Sequence, residues 1–303
     1  MDQIRRAWYG MCADVALAKK NEQEYEDFFC SVMELLHQDN FQLVKAVGRE
    51  GDGKADGYLV PEKCVFQSYA PSSGFRKTQL LEKITGDFLG AIDRWDDRMK
   101  RWVFVHNDSE GLPKYALDTF GDLKDEYTSV QISSWGPGIL KEKILSLPIA
   151  KLVDLFGPAP SESDMTSLTY EPIRTLLRAM NKNGRETNPD IVPVSAEKLE
   201  FNNLSPDVEA LLTAGRRKEN LVNDLLLRWP DPEYGEELAE SFRDKYQSLR
   251  DQGTDPDNIF VELKTFAGGD TGEASAQVSS LAILSYFFER CDIYENAPKG
   301  WKA

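Results

Sequence analysis

Histidine and cysteine are scarce in this chain. Its 303 residues include two histidines, His37 and His106, and four cysteines, Cys12, Cys30, Cys64 and Cys291. The cysteines stand far apart, with no C-x-x-C pair and no Cys/His spacing of the zinc type. That excludes a zinc finger or a dithiol redox motif and points to buried thiols in a reducing compartment. Long apolar runs are missing as well. The most apolar stretch, LAILSYFF at 281–288, falls far short of the roughly 20 residues that span a bilayer. The N-terminus MDQIRRAWYG has no apolar segment of the signal-peptide kind. A cytoplasmic protein without membrane contact is expected. Positive charge is in deficit: 36 Lys and Arg face 51 Asp and Glu, a formal net charge of -15. The acidic excess is the larger after residue 146. Such a surface repels a phosphate backbone except where basic side chains gather locally.

Hydrophobic residues make up 41% of the chain, enough for a core. Residues 2–20 and 22–38 read as helices; in the second, Tyr25, Phe28, Phe29, Val32, Met33, Leu35 and Leu36 recur at three- and four-residue spacing and form one apolar stripe. Strands are expected at 41–48, 56–60, 64–70, 102–108 and 129–135, with PEK (61–63) as a turn and helices at 76–101 and near 112–126. After WGPG (135–138) the strand signals stop and amphipathic helices take over: 139–156, 164–181, 206–228, 233–251, 256–265 and 273–291. The expected organisation is an α/β domain over residues 1–145, with a mixed sheet flanked by helices, followed by an α-helical domain over 146–303. Repeats and low-complexity tracts are absent.

The stretch GREGDGKADGYLVPEKCVFQSYAP (48–71) carries the candidate chemistry. Asp52 and Asp56 bracket a glycine turn, and Asp56 opens a strand. Val65, Gln67 and Tyr69 share one face of the next strand, because side chains alternate. In a hairpin, Asp56 and Gln67 would point into one cleft, with Glu26 above them on the preceding helix. Carboxylates gathered in this way call for a cation, and oxygen ligands favour Mg²⁺. Two other motifs fail. GREGDGKA has the glycine-lysine frame of a P-loop but ends in Ala55 and runs into a strand rather than a helix. Read as a calcium loop, it places Lys54 and Lys63 at ligand positions, which would repel Ca²⁺.

A helical Glu, a hairpin Asp, a polar residue eleven positions on and then a helix together resemble the PD-(D/E)XK nuclease superfamily, and within it the Mrr-type restriction endonucleases. The resemblance implies a restriction-endonuclease-like domain with Glu26, Asp56 and Gln67 as catalytic residues, and Mg²⁺ held by Asp56, Gln67, Asp52 and Glu26. It also implies a lysine at position 69, where this chain has Tyr69. A phenol is neutral at pH 7; losing such a preorganised charge costs roughly 10²–10³ in rate. A lysine from elsewhere could replace it, and Lys54, Lys63, Lys77 and Lys83 are near in sequence, with Lys83 the candidate carried forward.

A broader resemblance covers roughly residues 20–298. GDGKADGY with VFQSYAP, KITGDFLGAIDRW, RWVFVHND and LAILSYFFERCDIYENAP together resemble the C-terminal modules of ABC-three-component conflict systems. This implies a role in defence against phages and other invading DNA, in an assembly with an ABC- or SMC-like ATPase and a middle component, with DNA as a further potential partner and an oligomeric state. Some 20 helical residues precede the match, so the chain is expected to be either an accessory subunit with a degenerate nuclease core or an active Mg²⁺-dependent DNA endonuclease. Other features have plainer expected roles: RMKR (98–101) as a solvated helix end, Arg216, Arg217 and Lys218 in internal ion pairs, His106 as a structural histidine, Asp292 and Glu295 as capping groups, and the aromatics at 286–288 as core.

Overall fold

A computed structural model describes residues 1–44, 54–180, 196–290, 292–298 and 301. Its contacts divide the chain into two compact units, Ala13–Lys151 and a second made of Met1–Cys12 with Leu152–Ala303. Sequence texture puts the change near residue 145. The contacts put it a few residues later and assign the first twelve residues to the helical unit.

The first unit is built on a five-stranded mixed sheet in the order β1-β2-β3-β4-β5. The strands are β1 (Phe41–Leu43), β2 (Gly57–Leu59), β3 (Cys64–Tyr69), β4 (Arg101–His106) and β5 (Gln131–Trp135). β1, β2 and β3 form an antiparallel meander, whereas β3, β4 and β5 run parallel. Parallel neighbours need a crossover, and the chain supplies two, α3 (Lys77–Trp95) and α4 (Lys114–Glu126). The long helix expected over 76–101 stops earlier than its apolar pattern: Asp96–Arg98 form a 3-10 turn, and β4 takes over at Arg101.

Both faces of the sheet are covered. On one, Val65, Trp102, Phe104 and Ile132 meet Leu80, Ile84, Phe88 and Phe120 from α3 and α4. On the other, Phe66 packs against Phe41, Trp135 and Phe29, the last from α2 (Glu22–His37). Gly57 is required here, because a Cβ would lie 2.2 Å from the Phe41 ring. After Arg101 the parallel strand β4 is buried and reads WVFV before His106, a continuous apolar run rather than an alternating one, as a strand covered on both sides should. α1 (Gln3–Lys19) runs ahead of α2, and α5 (Pro137–Leu145) follows β5 with its proline in the first turn.

The second unit is helical. α6 (Ile149–Phe156) leads into α7 (Glu162–Ser167), α8 (Tyr170–Met180), α9 (Ala196–Phe201), α10 (Pro206–Arg216), α11 (Glu219–Leu227), α12 (Tyr234–Asp251), α13 (Pro256–Phe266) and α14 (Ala274–Glu289). Several starts are written in the sequence. Ser161 and Asp164 form a capping box on α7. Ser205 and Asp255 cap α10 and α13 immediately before a first-turn proline. The segments 139–156 and 206–228 are each two helices, interrupted around Pro148 and at Arg217–Lys218. α14 is the axis of this unit, buried continuously from Gln277 to Phe288, which is what an unbroken apolar helix requires. α10 approaches it closely at Gly215, where a Cβ would sit 2.2 Å from the Leu281 carbonyl oxygen, and Ser285 Oγ donates to the Leu212 carbonyl at 2.7 Å.

Candidate functional site

The hairpin β2–β3 determines where the candidate carboxylate goes. The antiparallel register pairs Gly57 with Phe66 and so sets Asp56 across from Gln67. Lys63, at φ 47, takes the left-handed conformation that closes the turn. Asp56 is 7% exposed, and both of its carboxylate oxygens are engaged. Oδ1 accepts Gln67 Nε2 at 3.0 Å; Oδ2 accepts the Ser68 backbone N–H and the Ser68 hydroxyl, each at 2.5 Å. Its backbone N–H donates to the Phe66 carbonyl at 2.9 Å. The carboxylate thus continues the hydrogen bonding of the ladder past the end of β2. Asp52, expected to assist, lies outside the described residues.

Gln67 is 4% exposed, and its Oε1 has no hydrogen-bond partner. The amide orientation follows from its neighbour: a carboxylate must receive the N–H, so the carbonyl turns away. An orphaned buried acceptor beside a carboxylate suits a hard cation chemically. For one ion to sit between Asp56 and Gln67, however, the amide would have to turn over and give up its bond to Asp56. Among the described residues, no group of three or more His, Cys, Asp and Glu is arranged to hold a metal ion. A set of two carboxylates and one amide lies outside that pattern.

Glu26 and Lys83 come together in a cavity of about 810 Å³, whose walls also include Ser68, Tyr69, Lys54 and Asp87. Ser68 joins this cavity to Asp56 through its hydrogen bonds. Cys30 reports the same proximity from the other side. Its thiol is pushed up to about 12, first by burial and then by the charges of Asp56 and Glu26, and its Sγ lies 3.7 Å from the Asp56 carbonyl oxygen.

At position 69 the phenol ring stacks on Phe75, 5.9 Å between centroids and 8° between planes, and leans on Phe104. It is half-buried, packed against the aromatic core of the sheet at the cavity wall. Of the possible replacement lysines, Lys77 lies over the Tyr115 ring. Lys83 Nζ is 2.7 Å from Asp87 Oδ2, and Lys54 Nζ is 3.1 Å from Asp87 Oδ1. Asp87, 2% exposed, is the residue the sequence did not single out. It sits four positions after Lys83 on α3, where it reads as an ordinary helical ion pair. Only the approach of Lys54 from the turn before β2 turns it into the shared counter-ion of two lysines in the cavity.

The remaining features resolve into structural roles. His106 is buried in contact with Phe75; loss of hydration lowers its pKa to about 4, so it is neutral at pH 7. In the RMKR run, Arg98 lies over Trp95, Lys100 pairs with Asp97, and Arg101 pairs with Glu62 at 2.8 Å. In the helical unit, Arg216 pairs with Glu289, Arg217 with Glu162, and Lys218 Nζ donates to the Thr166 carbonyl. The aromatics at 286–288 are buried.

Asp292 belongs to a closed ring of charges. Arg290 and Arg243 each contact both Asp292 and Glu236, at 2.5 to 3.1 Å. Burial raises the Asp292 pKa, and the two guanidinium groups counteract it. Glu295 pairs with Arg250. Lys198, 1% exposed, was not visible as a functional or structural residue in the sequence. Its Nζ donates to the carbonyls of Phe288 (2.7 Å) and Ile293 (2.8 Å), a cation placed on the C-terminal end of α14 where the helix dipole favours it.

This helical region also carries the relationship to known proteins. Residues 171–295 match the family model CTD10, the C-terminal domain 10 of the ABC-three component (ABC-3C) systems. The matched span runs from the second residue of α8 to Glu295 and so includes α14 and the Arg–carboxylate ring. No curated protein and no solved structure gives a match. No described helix is long and apolar enough to cross a membrane.

Proposed function

We propose that this protein is a component of a prokaryotic ABC-three-component conflict system, in which a degenerate nuclease core serves assembly with partner subunits, an ATPase and a middle component, rather than cleavage. The similarity of residues 171–295 to a C-terminal domain of such systems carries the first half of this reading. The observation that carries the second is the state of the Asp56 site. Its carboxylate is committed to Ser68 and Gln67, the lysine position holds an aromatic packed against the core, and the two nearest lysines share Asp87. The antiparallel meander followed by a helix and a parallel strand supports a restriction-endonuclease-like origin.

One observation favours the second reading, an active endonuclease: Glu26, Lys54 and Lys83 line one cavity with Ser68. An ion there would have Glu26 from the wall, and would take Asp56 and Gln67 as well only if the Gln67 amide turned over and gave up its bond to Asp56. A bound divalent ion would supply charge stabilisation at a phosphate and an activated water. The lysine side chains would contribute positive charge at the cavity wall.

A single preparation separates the two. Plasmid DNA is incubated with the purified chain and Mg²⁺ or Mn²⁺, and the chain is co-expressed with an ATPase component of such a system. The assembly reading expects intact plasmid and co-purification that persists in Glu26→Gln and Asp56→Asn. Nicking lost in both variants would replace it with the nuclease reading. Absence of both nicking and co-purification would reject both.

A further inference from the structure

A second cavity, in the helical unit, has a chemistry of its own. It measures about 490 Å³ and is lined by Tyr170, Arg174, Arg178, Asp224, Arg228 and Trp229, among others. The size falls within the range of small-molecule pockets. Its residues come from two elements. Tyr170, Arg174 and Arg178 follow one another at four-residue intervals on α8 and so form one stripe. The adjoining stripe, Ile173 and Leu177, is buried in the core. Asp224 comes from α11, and Arg228 and Trp229 follow its last turn.

Three guanidinium groups therefore converge on one hollow in a chain whose net charge is -15. Arg174 is paired with Glu171 at 2.6 Å. Arg178 and Arg228 line the same cavity with no ion pair or side-chain hydrogen bond to any described residue. Elsewhere in this unit arginines are paired, as Arg216, Arg217, Arg243, Arg250 and Arg290 are. Like charges gathered without partners are unfavourable until an anion joins them, and a planar guanidinium fork fits a phosphate.

The cavity also offers two features that a bare anion would not use. Trp229 is held by stacking on Tyr234, 4.7 Å between centroids and 23° between planes, so its ring is fixed in place for a flat partner. Asp224 Oδ2 accepts the Tyr170 hydroxyl at 3.1 Å, which leaves Oδ1 to accept from a ligand. Asp231, also in the wall, accepts the Glu233 backbone N–H on Oδ1, so the lining sets three guanidinium groups against two carboxylates, an excess of positive charge that still favours an anion.

We infer that this cavity binds a free nucleotide: phosphate on Arg178 and Arg228, base against Trp229, and a hydroxyl or exocyclic amine on Asp224. A nucleotide is the ligand class that supplies an anion, a flat ring and a hydrogen-bond donor within one small volume. A continuous nucleic-acid strand is disfavoured, because following a backbone takes more basic contacts than one pocket on an acidic chain provides.

Isothermal titration of the full chain with adenosine and guanosine monophosphate tests this, with inorganic phosphate and a single-stranded oligonucleotide as comparisons. The expected result is saturable binding of a mononucleotide, tighter than inorganic phosphate. It should weaken about tenfold or more in Arg178→Gln/Arg228→Gln and fall toward the phosphate value in Trp229→Ala. Arg178 and Arg228 are exposed, so the double variant should keep its circular dichroism spectrum, and Arg98→Gln/Lys100→Gln, which also removes two exposed positive charges, serves as a charge-matched control with unchanged binding. The inference is overturned by no mononucleotide binding at millimolar concentration, by phosphate binding as well as the nucleotide does, by binding of the oligonucleotide alone, or by affinity unchanged in the double variant.

Discussion

From the position just before β2, the Asp56 carboxylate accepts both the backbone N–H and the hydroxyl of Ser68 on β3, each at 2.5 Å. With Gln67 on its other oxygen, it holds the hairpin whether or not a metal is ever bound. Asp56→Ala leaves three donors without an acceptor in a buried setting and should cost about 2–3 kcal/mol. Asp56→Asn, which keeps one acceptor, should cost less. Urea denaturation followed by tryptophan fluorescence measures both. Wild-type stability in the alanine variant would mean that these contacts hold nothing together.

His106 links stability to pH. Folded, its pKa lies at about 4 because burial removes its hydration; unfolded, it returns to about 6.5. Between these values the unfolded chain binds a proton that the folded chain lacks. Stability is therefore full above about pH 7 and falls as pH drops from 6.5 to 4, by on the order of 3 kcal/mol. Comparing His106→Gln with the parent chain at each pH isolates this component from the carboxylates. Parallel curves for the two proteins would count against it.

Burial also governs the thiols. Cys30 and Cys64 are both pushed up to about 12, mainly by desolvation. Since the thiolate is the reactive form, neither should be alkylated by iodoacetamide at pH 8 in the folded protein, and both should react in urea. Peptide mapping by mass spectrometry after a short exposure distinguishes them from the other cysteines. Rapid labelling of Cys30 in the folded chain would contradict its placement on the buried face of α2.

The ring of Arg243, Glu236, Arg290 and Asp292 should be strongly coupled. Removing one member of a buried pair leaves an uncompensated charge, a loss of about 3 kcal/mol or more. Arg290→Met and Asp292→Ala should each destabilise by this order, while the double variant costs much less than the sum. A double-mutant cycle by chemical denaturation reads the coupling directly, and additive losses would mean that the ring does not act as a unit.

Much of the molecule was legible in its residues, for local reasons. The DGY–PEK–CVFQSY stretch combines a turn with two short strand patterns, and antiparallel register then leaves little choice but to set Asp56 across from Gln67. The Tyr25–Phe29–Met33 stripe identified the buried face of α2. Where the reading slipped, competing local interactions won: α3 ends at Trp95 although the helical pattern runs to 101, and α9 is only six residues long, too short for a periodic signal. The site was less legible. Lys83 reads as the candidate replacement lysine, yet it is held by Asp87, and Lys54 joins it there from the turn before β2.

By itself, the sequence determined the change from strand-rich to helical texture, the hairpin that carries Asp56, and the aromatic residue where a lysine would be expected. These depend on side-chain periodicity, turn chemistry and residue identity, all encoded within a few positions of each other. Only the tertiary structure decided which charges are neutralised and which are not. Asp87 takes up two lysines, and Lys198 caps a helix about ninety residues away in the chain, whereas Arg178 and Arg228 line one cavity with no ion pair to any described residue. A charge is balanced by whatever the fold brings within a few ångströms, and no sequence spacing specifies that distance.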